Sequence, residues 1–307
     1  MKLNYIIKKE DTNKKIKEII KNKLFISNNL LKKLKDTNSI LVNKNNVFIN
    51  YIAKENDKIE ILLDNIEEKK FSNKFKLVDI PFDILYEDEY LLIVSKPSNM
   101  PIHPSNHNYE NTLSNIVASY LEKKQIFGIH ILTRLDTDTS GICIFAKSMY
   151  IQDLFNKKKS YINLTKEYIA LVNGIVQKKH DIIEKKIGRD KNSIILRKID
   201  ESGEYAKTEY YKLYENKNQN YSVLSIILHT GKTHQIRVHM ASIGHVLLGD
   251  DLYANVTYTN NFDNIMDLIS RQALHSFKIS FKHPILGKII TIKCKIPKDI
   301  QKLIPID

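Results

Sequence analysis

The chain has 307 residues, 42% of them hydrophobic, which suits two domains with a well-buried core better than one small one. Its 48 Lys and Arg against 35 Asp and Glu leave a formal net charge of +13, which points to a polyanionic partner, nucleic acid before an anionic membrane. No apolar run approaches the ~18–20 residues of a spanning helix, and two cysteines without CxxC spacing, Cys143 and Cys294, argue against a disulfide scaffold or a zinc site.

Residues 1–78 carry 18 lysines and 10 acids but no Gly, Pro, Arg or His. Met1 to Thr12 offers only Tyr5-Ile6-Ile7 before charges, so it has no signal-peptide core and a cytoplasmic location is expected. A helix is predicted over 13–22, with Ile16, Ile19 and Ile20 on one face. Ser27 is placed to cap a second, in which Leu30, Leu31 and Leu34 face inward and Lys32, Lys33 and Lys35 outward. Short strands follow at Ile40 to Val42, Val47 to Ile49 and Ile59 to Leu63, separated by Asn-rich turns, one of which holds Lys44. Two helices, the second basic, before a small sheet suit a compact RNA-binding module; a generic lobe with a solvated helix face is the alternative.

Residues 64–78 are polar and aperiodic, as in a linker. Beyond them the pattern is α+β. Strands are predicted at 84–86, 91–94, 142–146, 168–172, 208–213 and 223–229, and in the tail over 277–294. Helices are predicted over Thr112 to Lys123, Met149 to Lys158 and Thr233 to Ser242. All nine glycines and all ten histidines lie at or after His103, so the chemistry is expected there. Only five arginines, Arg134, Arg189, Arg197, Arg237 and Arg271, stand against 43 lysines, which suggests places where the planar fork is required.

Three clusters could carry chemistry. Thr133-Arg134-Leu135-Asp136-Thr137-Asp138-Thr139-Ser140-Gly141 precedes a strand and mixes a cation, carboxylates and hydroxyls. A carboxylate held by such a loop is a fair covalent nucleophile, and a hydrogen-bonded turn is the plainer reading. In the second cluster, Thr230 to His239, Thr230 or Thr233 could cap a helix from which Arg237 reaches a carboxylate bidentately. Its Gly231-Lys232-Thr233 lacks the earlier glycine of a phosphate loop, position 226 being Ile, so nucleotide hydrolysis is rejected. The third is Lys166 to Gly174, whose Tyr168 could stack on a base or simply fill a core. His234 and His239, five apart, do not make a metal site.

Together, residues 79–307 resemble the RluA/RluD-type pseudouridine synthase family. The likeness rests on Asp79-Ile80-Pro81, Lys96-Pro97, His103-Pro104, the loop from Arg134 to Gly141, Lys166 to Gly174 and Ile187-Gly188-Arg189-Asp190. It continues through Ala206-Lys207-Thr208, Thr230 to His239, Leu248-Gly249-Asp250 and Arg271 to His275, all in order. The resemblance implies a catalytic domain with a mixed, mainly antiparallel central sheet, flanking helices and a cleft. Residues 1–63 are similar to an S-four-type RNA-binding domain, joined by the linker 64–78.

It also implies roles. Asp136 matches the catalytic aspartate, Arg134 the arginine that displaces the target base, Tyr168 the tyrosine that stacks on it and is expected to serve in proton removal, and Arg237 the arginine that pairs with the aspartate. Thr139, His234 and Gln235 are expected to bind substrate, and Lys32, Lys33, Lys35 and Lys44 to bind RNA backbone. Departures are Thr133 where the family has His, Asn111 where it has Gly, and Lys232 where Arg is common. The implied reaction turns uridine into pseudouridine in ribosomal RNA of the large subunit, or in transfer RNA, with no cofactor or metal, on a monomer. A magnesium-dependent phosphotransferase built on Asp136 and Asp138, and a non-catalytic RNA-binding or ribosome-assembly protein, are the rivals.

Overall fold

The computed structural model describes residues 1–66, 76–104, 110–191, 193, 195–254 and 268–305. The first lobe is built from β1 (Lys2–Ile6), α1 (Ile16–Lys23), α2 (Asn28–Asp36), β2 (Ile40–Val42), β3 (Asn45–Asn46) and β4 (Lys58–Leu62), with strand order β1-β4-β2-β3. The α2 helix forms as its pattern requires. Ser27 Oγ accepts the Leu30 amide at 3.1 Å, and Leu30, Leu31 and Leu34 are buried. The α1 helix starts later than predicted because Asn13 takes a left-handed turn, φ 63°.

The strand predicted at Val47–Ile49 is absent. Asn43 and Lys44, both left-handed at φ 50° and 69°, make the turn of the β2–β3 hairpin; its paired residues end with Asn46 opposite Leu41, only the Val47 amide reaches on to the Ile40 carbonyl at 3.3 Å, and Phe48 is left 87% exposed. Of the segment expected as a linker, Asp64 and Asn65 close a short 3-10 turn and Ile66 is buried, while 67–75 lie outside the described residues. The lobe packs on the remainder of the chain through one continuous apolar cluster that takes in Leu30, Leu34, Ile151 and Phe155. Two polar ties flank it: the Ser27 amide donates to Asp153 Oδ2 at 2.8 Å, and Lys157 Nζ to the Ile26 carbonyl at 2.6 Å.

The larger part has the α+β form anticipated. Its elements are β5 (Asp83–Glu87), β6 (Leu91–Lys96), α3 (Leu113–Lys123), β7 (His130–Ile131), β8 (Ser140–Ala146), α4 (Met149–Lys157), α5 (Lys159–Ile162) and β9 (Thr165–Asn173). They continue with β10 (His180–Glu184), β11 (Ile187–Arg189), β12 (Arg197–Ile199), β13 (Lys207–Asn216), β14 (Tyr221–Leu228) and α6 (Gln235–Ala241). The last are α7 (Asp251–Ala254), β15 (Leu274–Lys282), β16 (Ile289–Lys293) and α8 (Lys298–Gln301).

One sheet runs β10-β13-β14-β9-β15-β8-β6-β5, with β16 beside β15 and β7 beside β8. Among the described residues every pairing in it is antiparallel except β15 with β8, where His275 faces Ser140 and Ser276 faces Gly141. That parallel step brings the loop entering β8 next to the middle of β9, since Ser276 on its other side faces Tyr168. Gly141 is required there. Its φ is 112°, and a Cβ would lie 2.3 Å from the Ser276 carbonyl oxygen.

Candidate active site

The loop before β8 is fastened from several sides. The Thr139 amide closes a turn onto the Asp136 carbonyl at 3.2 Å. The Thr137 carbonyl accepts the Met100 amide at 3.1 Å and Lys96 Nζ at 2.7 Å. The Asp138 carbonyl accepts Arg271 Nη1 at 3.0 Å, and Thr139 Oγ1 accepts Gln272 Nε2 at 2.7 Å. Thr133 is buried and its Oγ1 accepts the Ile144 amide at 2.9 Å, so the residue that departs from the family pattern anchors the loop to β8. With its backbone thus fixed, the loop presents Asp136, 30% exposed, to a cavity of about 430 Å3.

Lys96 has no exposure, and its ammonium donates to the carbonyls of Pro97, Met100 and Thr137 at 2.9, 2.8 and 2.7 Å. Burial pulls its pKa down to about 8. The only signal for it in the sequence was the pair Lys96-Pro97 closing an apolar strand.

On the opposite wall stands α6, whose first residues differ from expectation. His234 is left-handed at φ 57°, so the helix begins at Gln235, and neither Thr230 nor Thr233 caps it. Instead Thr230 Oγ1 and the Lys232 amide donate to Gln235 Oε1 at 2.8 and 3.0 Å. Gln235 Nε2 donates to the Lys207 carbonyl and Thr208 Oγ1 at 3.0 and 2.9 Å. The Gln235 amide, expected to touch substrate, is therefore engaged at both ends in holding the 230–235 turn.

Arg237 does reach a carboxylate bidentately, but the carboxylate is Asp250. Nε donates to Oδ2 at 2.7 Å and Nη2 to Oδ1 at 2.6 Å, with Asp250 fully buried. Asp136 Oδ2 stands 3.5 Å from Arg237 Nη1, a looser contact than the pairing implied by the sequence. Burial works against the guanidinium charge, and Asp250, then Asp136, more than offset it, so the Arg237 pKa is raised. In the sequence Asp250 stands out only as the end of Leu248-Gly249-Asp250; its partner lies across a turn that spacing does not reveal. Tyr253 completes the wall, its ring 4.9 Å from the Arg237 guanidinium carbon and its hydroxyl 2.9 Å from His234 Nδ1.

His234 Nε2 lies 3.9 Å from Asp136 Oδ2, and burial lowers its pKa despite that neighbour. Tyr168 is 5% exposed in the middle of β9. Burial raises its hydroxyl pKa well above the ordinary tyrosine range, with Cys143 adding to the rise and a hydrogen bond with Ser276 opposing it. Arg134, Asp136, Thr139, Tyr168, His234, Gln235 and Arg237 all line this one cavity. Lys32, Lys35 and Lys44 are exposed and Lys33 half-buried on the first lobe, outside that lining. Among the described residues no group of three His, Cys, Asp or Glu side chains is placed to hold a metal ion.

Residues 90–242 match the family model for RNA pseudouridylate synthase. YhcT, an RNA pseudouridine synthase of Bacillus subtilis, is 30% identical over 302 residues, 98% of this chain and 96% of the relative. The ribosomal large subunit pseudouridine synthase D of Zymomonas mobilis is 36% identical over 234 residues, 73% of this chain and 72% of its own. Among solved structures, human RNA pseudouridylate synthase domain containing 4 superposes with a TM-score of 0.57 at 18% identity, over 71% of this chain and 90% of that one. The fold and the sequence together define an RNA-modifying isomerase. The chain belongs to the RNA pseudouridine synthase family and is of the RluA/RluD type.

Proposed function

We propose that the protein isomerises uridine in large-subunit ribosomal RNA, with Asp136 as nucleophile. The observation that carries the residue assignment is the convergence of Asp136, Arg237 and Tyr168 on one cavity of about 430 Å3, within the range of small-ligand sites and roomy enough for one extruded nucleoside. The target RNA follows the relatives, several of which are named as ribosomal large subunit enzymes.

The reaction needs the uridine out of its stack, at about a few kcal/mol. Arg134, exposed on the cavity rim, takes the place the base leaves, and Tyr168 gives the extruded uracil a face to stack on. Asp136 then promotes cleavage of the bond between N1 and C1′, at the sugar or through an adduct with the ring. The uracil turns within the cavity, C5 bonds to C1′ as Asp136 is freed, a base takes the proton left on C5, and N1 ends protonated. Tyr168 lines the cavity, so the same side chain that faces the uracil has its hydroxyl placed to take part in removing the C5 proton. Arg237, itself fixed by Asp250, supplies positive charge 3.5 Å from Asp136 and holds it in place.

The first lobe, an RNA-binding domain over 1–63, adds backbone contacts through Lys32, Lys33, Lys35 and Lys44. The protein is read as a cytoplasmic monomer; both its cysteines are free and buried, which suits a reducing compartment. Mapping pseudouridine across total RNA with and without the gene tests the target. The expected result is loss of one or a few large-subunit sites, restored on unmodified transcript by the purified protein. Loss confined to transfer RNA, or no loss, contradicts it.

A further inference from the structure

The five arginines of this lysine-rich chain fall into two groups. Arg237 and Arg271 are buried, and each gives its fork to one carboxylate. Arg271 Nε and Nη2 donate to Asp299 Oδ2 and Oδ1 at 2.7 and 3.1 Å. The other three, Arg134, Arg189 and Arg197, all line a single groove of about 630 Å3 beside the active-site cavity. With 43 lysines available elsewhere, this concentration marks a place that needs a planar, multidentate cation.

The groove lies between the β11–β12 hairpin and the turn at 231–233. Lys191 and Lys232 add two cations, against two lining carboxylates, Asp200 and Glu204. Asp200 accepts the Ser202 amide and hydroxyl at 2.8 and 2.7 Å, and Glu204 pairs with Lys232. Arg197 Nη1 rests on the carbonyls of Ile195 and Leu196 at 3.2 and 3.1 Å. Its floor is close-packed backbone. A Cβ on Gly203 would lie 2.4 Å from the Ile187 carbonyl, and one on Gly188 2.8 Å from Asp200. At these two glycines the backbone is packed too closely to admit a side chain.

Two connections join the groove to the chemistry. Arg134, Gly231, Lys232 and Thr233 line both cavities. Tyr253 accepts the Arg197 amide at 3.1 Å and bonds His234 at 2.9 Å, tying the hairpin to the catalytic wall.

We propose that this groove is the subsite for the phosphodiesters flanking the extruded uridine, with Arg189 and Arg197 gripping phosphate oxygens while Arg134 stands at the junction. The inference rests on RNA being the substrate. A strand whose uridine occupies the cavity must carry its backbone over the shared wall, and the groove meets it there with the cations suited to bidentate phosphate contact.

The test is the pair Arg189→Gln/Arg197→Gln, with Lys178→Gln/Lys217→Gln as an equal charge change on exposed lysines outside the groove. The probe is an unmodified large-subunit ribosomal RNA transcript, its Kd measured over a salt series beside KM and kcat. Loss of two phosphate contacts on a single strand makes the log Kd against log salt slope shallower by about 1.4. Kd at moderate salt rises about tenfold or more, with the loss falling on KM more than kcat. Arg189→Lys/Arg197→Lys restores the slope but only part of the affinity, and circular dichroism confirms the fold of each variant. Wild-type Kd and slope in the Gln pair overturn the proposal, as does a control pair that reproduces its effect. Absence of pseudouridine with the wild-type protein contradicts the isomerase reading instead, and the binding measurements still decide the groove.

Discussion

Replacing Asp250 by Asn leaves the shape of the active-site wall but removes the charge that balances Arg237. The two groups are 0% and 8% exposed, so the guanidinium stays in a dry environment with one amide oxygen in place of a carboxylate. Breaking a buried pair from one side costs about 3–5 kcal/mol. At roughly 2–4 °C per kcal/mol for a protein of this size, Tm falls by about 6–20 °C. Part of that is recoverable, because Asp136 Oδ2 is only 3.5 Å from Arg237 Nη1 and the released fork can turn to it. The recovery harms catalysis, since the nucleophile is then engaged as a counter-ion. Turnover should therefore fall further than the lost stability explains, and adding Asp136→Asn should destabilise more than the two single changes summed. Calorimetry measures the first effect. Tritium release from RNA carrying 5-tritiated uridine, which loses that hydrogen when C5 joins the sugar, measures the second. A variant with Tm within about 2 °C of wild type and undiminished turnover would refute the role given to Asp250.

Lys96→Met takes the ammonium away from the Pro97, Met100 and Thr137 carbonyls, of which Thr137 keeps the Met100 amide; it should cost about 1–3 kcal/mol in chemical denaturation and lower kcat by loosening the Asp136 loop. Glu87 is held at about 2, burial opposing its charge and Lys147, Tyr120 and Lys124 overcoming burial, against 4.5 for a free glutamate. The unfolded chain protonates first as pH falls, so the stability it contributes is whole above pH 4.5 and drains away by about pH 2. Acid titration of stability should show a component on the order of 2–3 kcal/mol in that window that Glu87→Gln lacks. Changing Lys32, Lys33, Lys35 and Lys44 together to Gln should weaken RNA binding and flatten its salt slope by up to about 3, with Tm unchanged; an unaltered slope removes the first lobe from RNA binding.

What the sequence revealed was what is local or strongly patterned. The α2 helix announces itself by a capping serine and three leucines on one face, and the loop around Asp136 by its density of polar groups before an apolar strand. The sheet-edge strand β1 stayed hidden because its residues alternate only between exposed and half-buried, so they lack a clean apolar face. Val47 to Ile49 has the β-branched and aromatic content of a strand, yet its partner β2 is only three residues long and the paired register runs out at Asn46. Within the site, Arg237 was found by its position on a helix, but the choice between Asp136 and Asp250 as its partner depends on where a distant turn falls. The bonding of Gln235 is equally hidden: only the packed turn reveals that both ends of its amide hold the 230–235 segment together. Lys96 reads in the sequence as one lysine among 43, and becomes distinctive only when buried beneath the loop.

The most direct test of the account is single-turnover pseudouridine formation by Asp136→Ala, with RNA affinity measured on the same preparation. Asp136 is the one carboxylate presented by the anchored loop to the cavity, and Arg237 is already fixed by Asp250. The account predicts a rate below about a thousandth of wild type with Kd changed by less than about threefold. Wild-type turnover in that variant would contradict it.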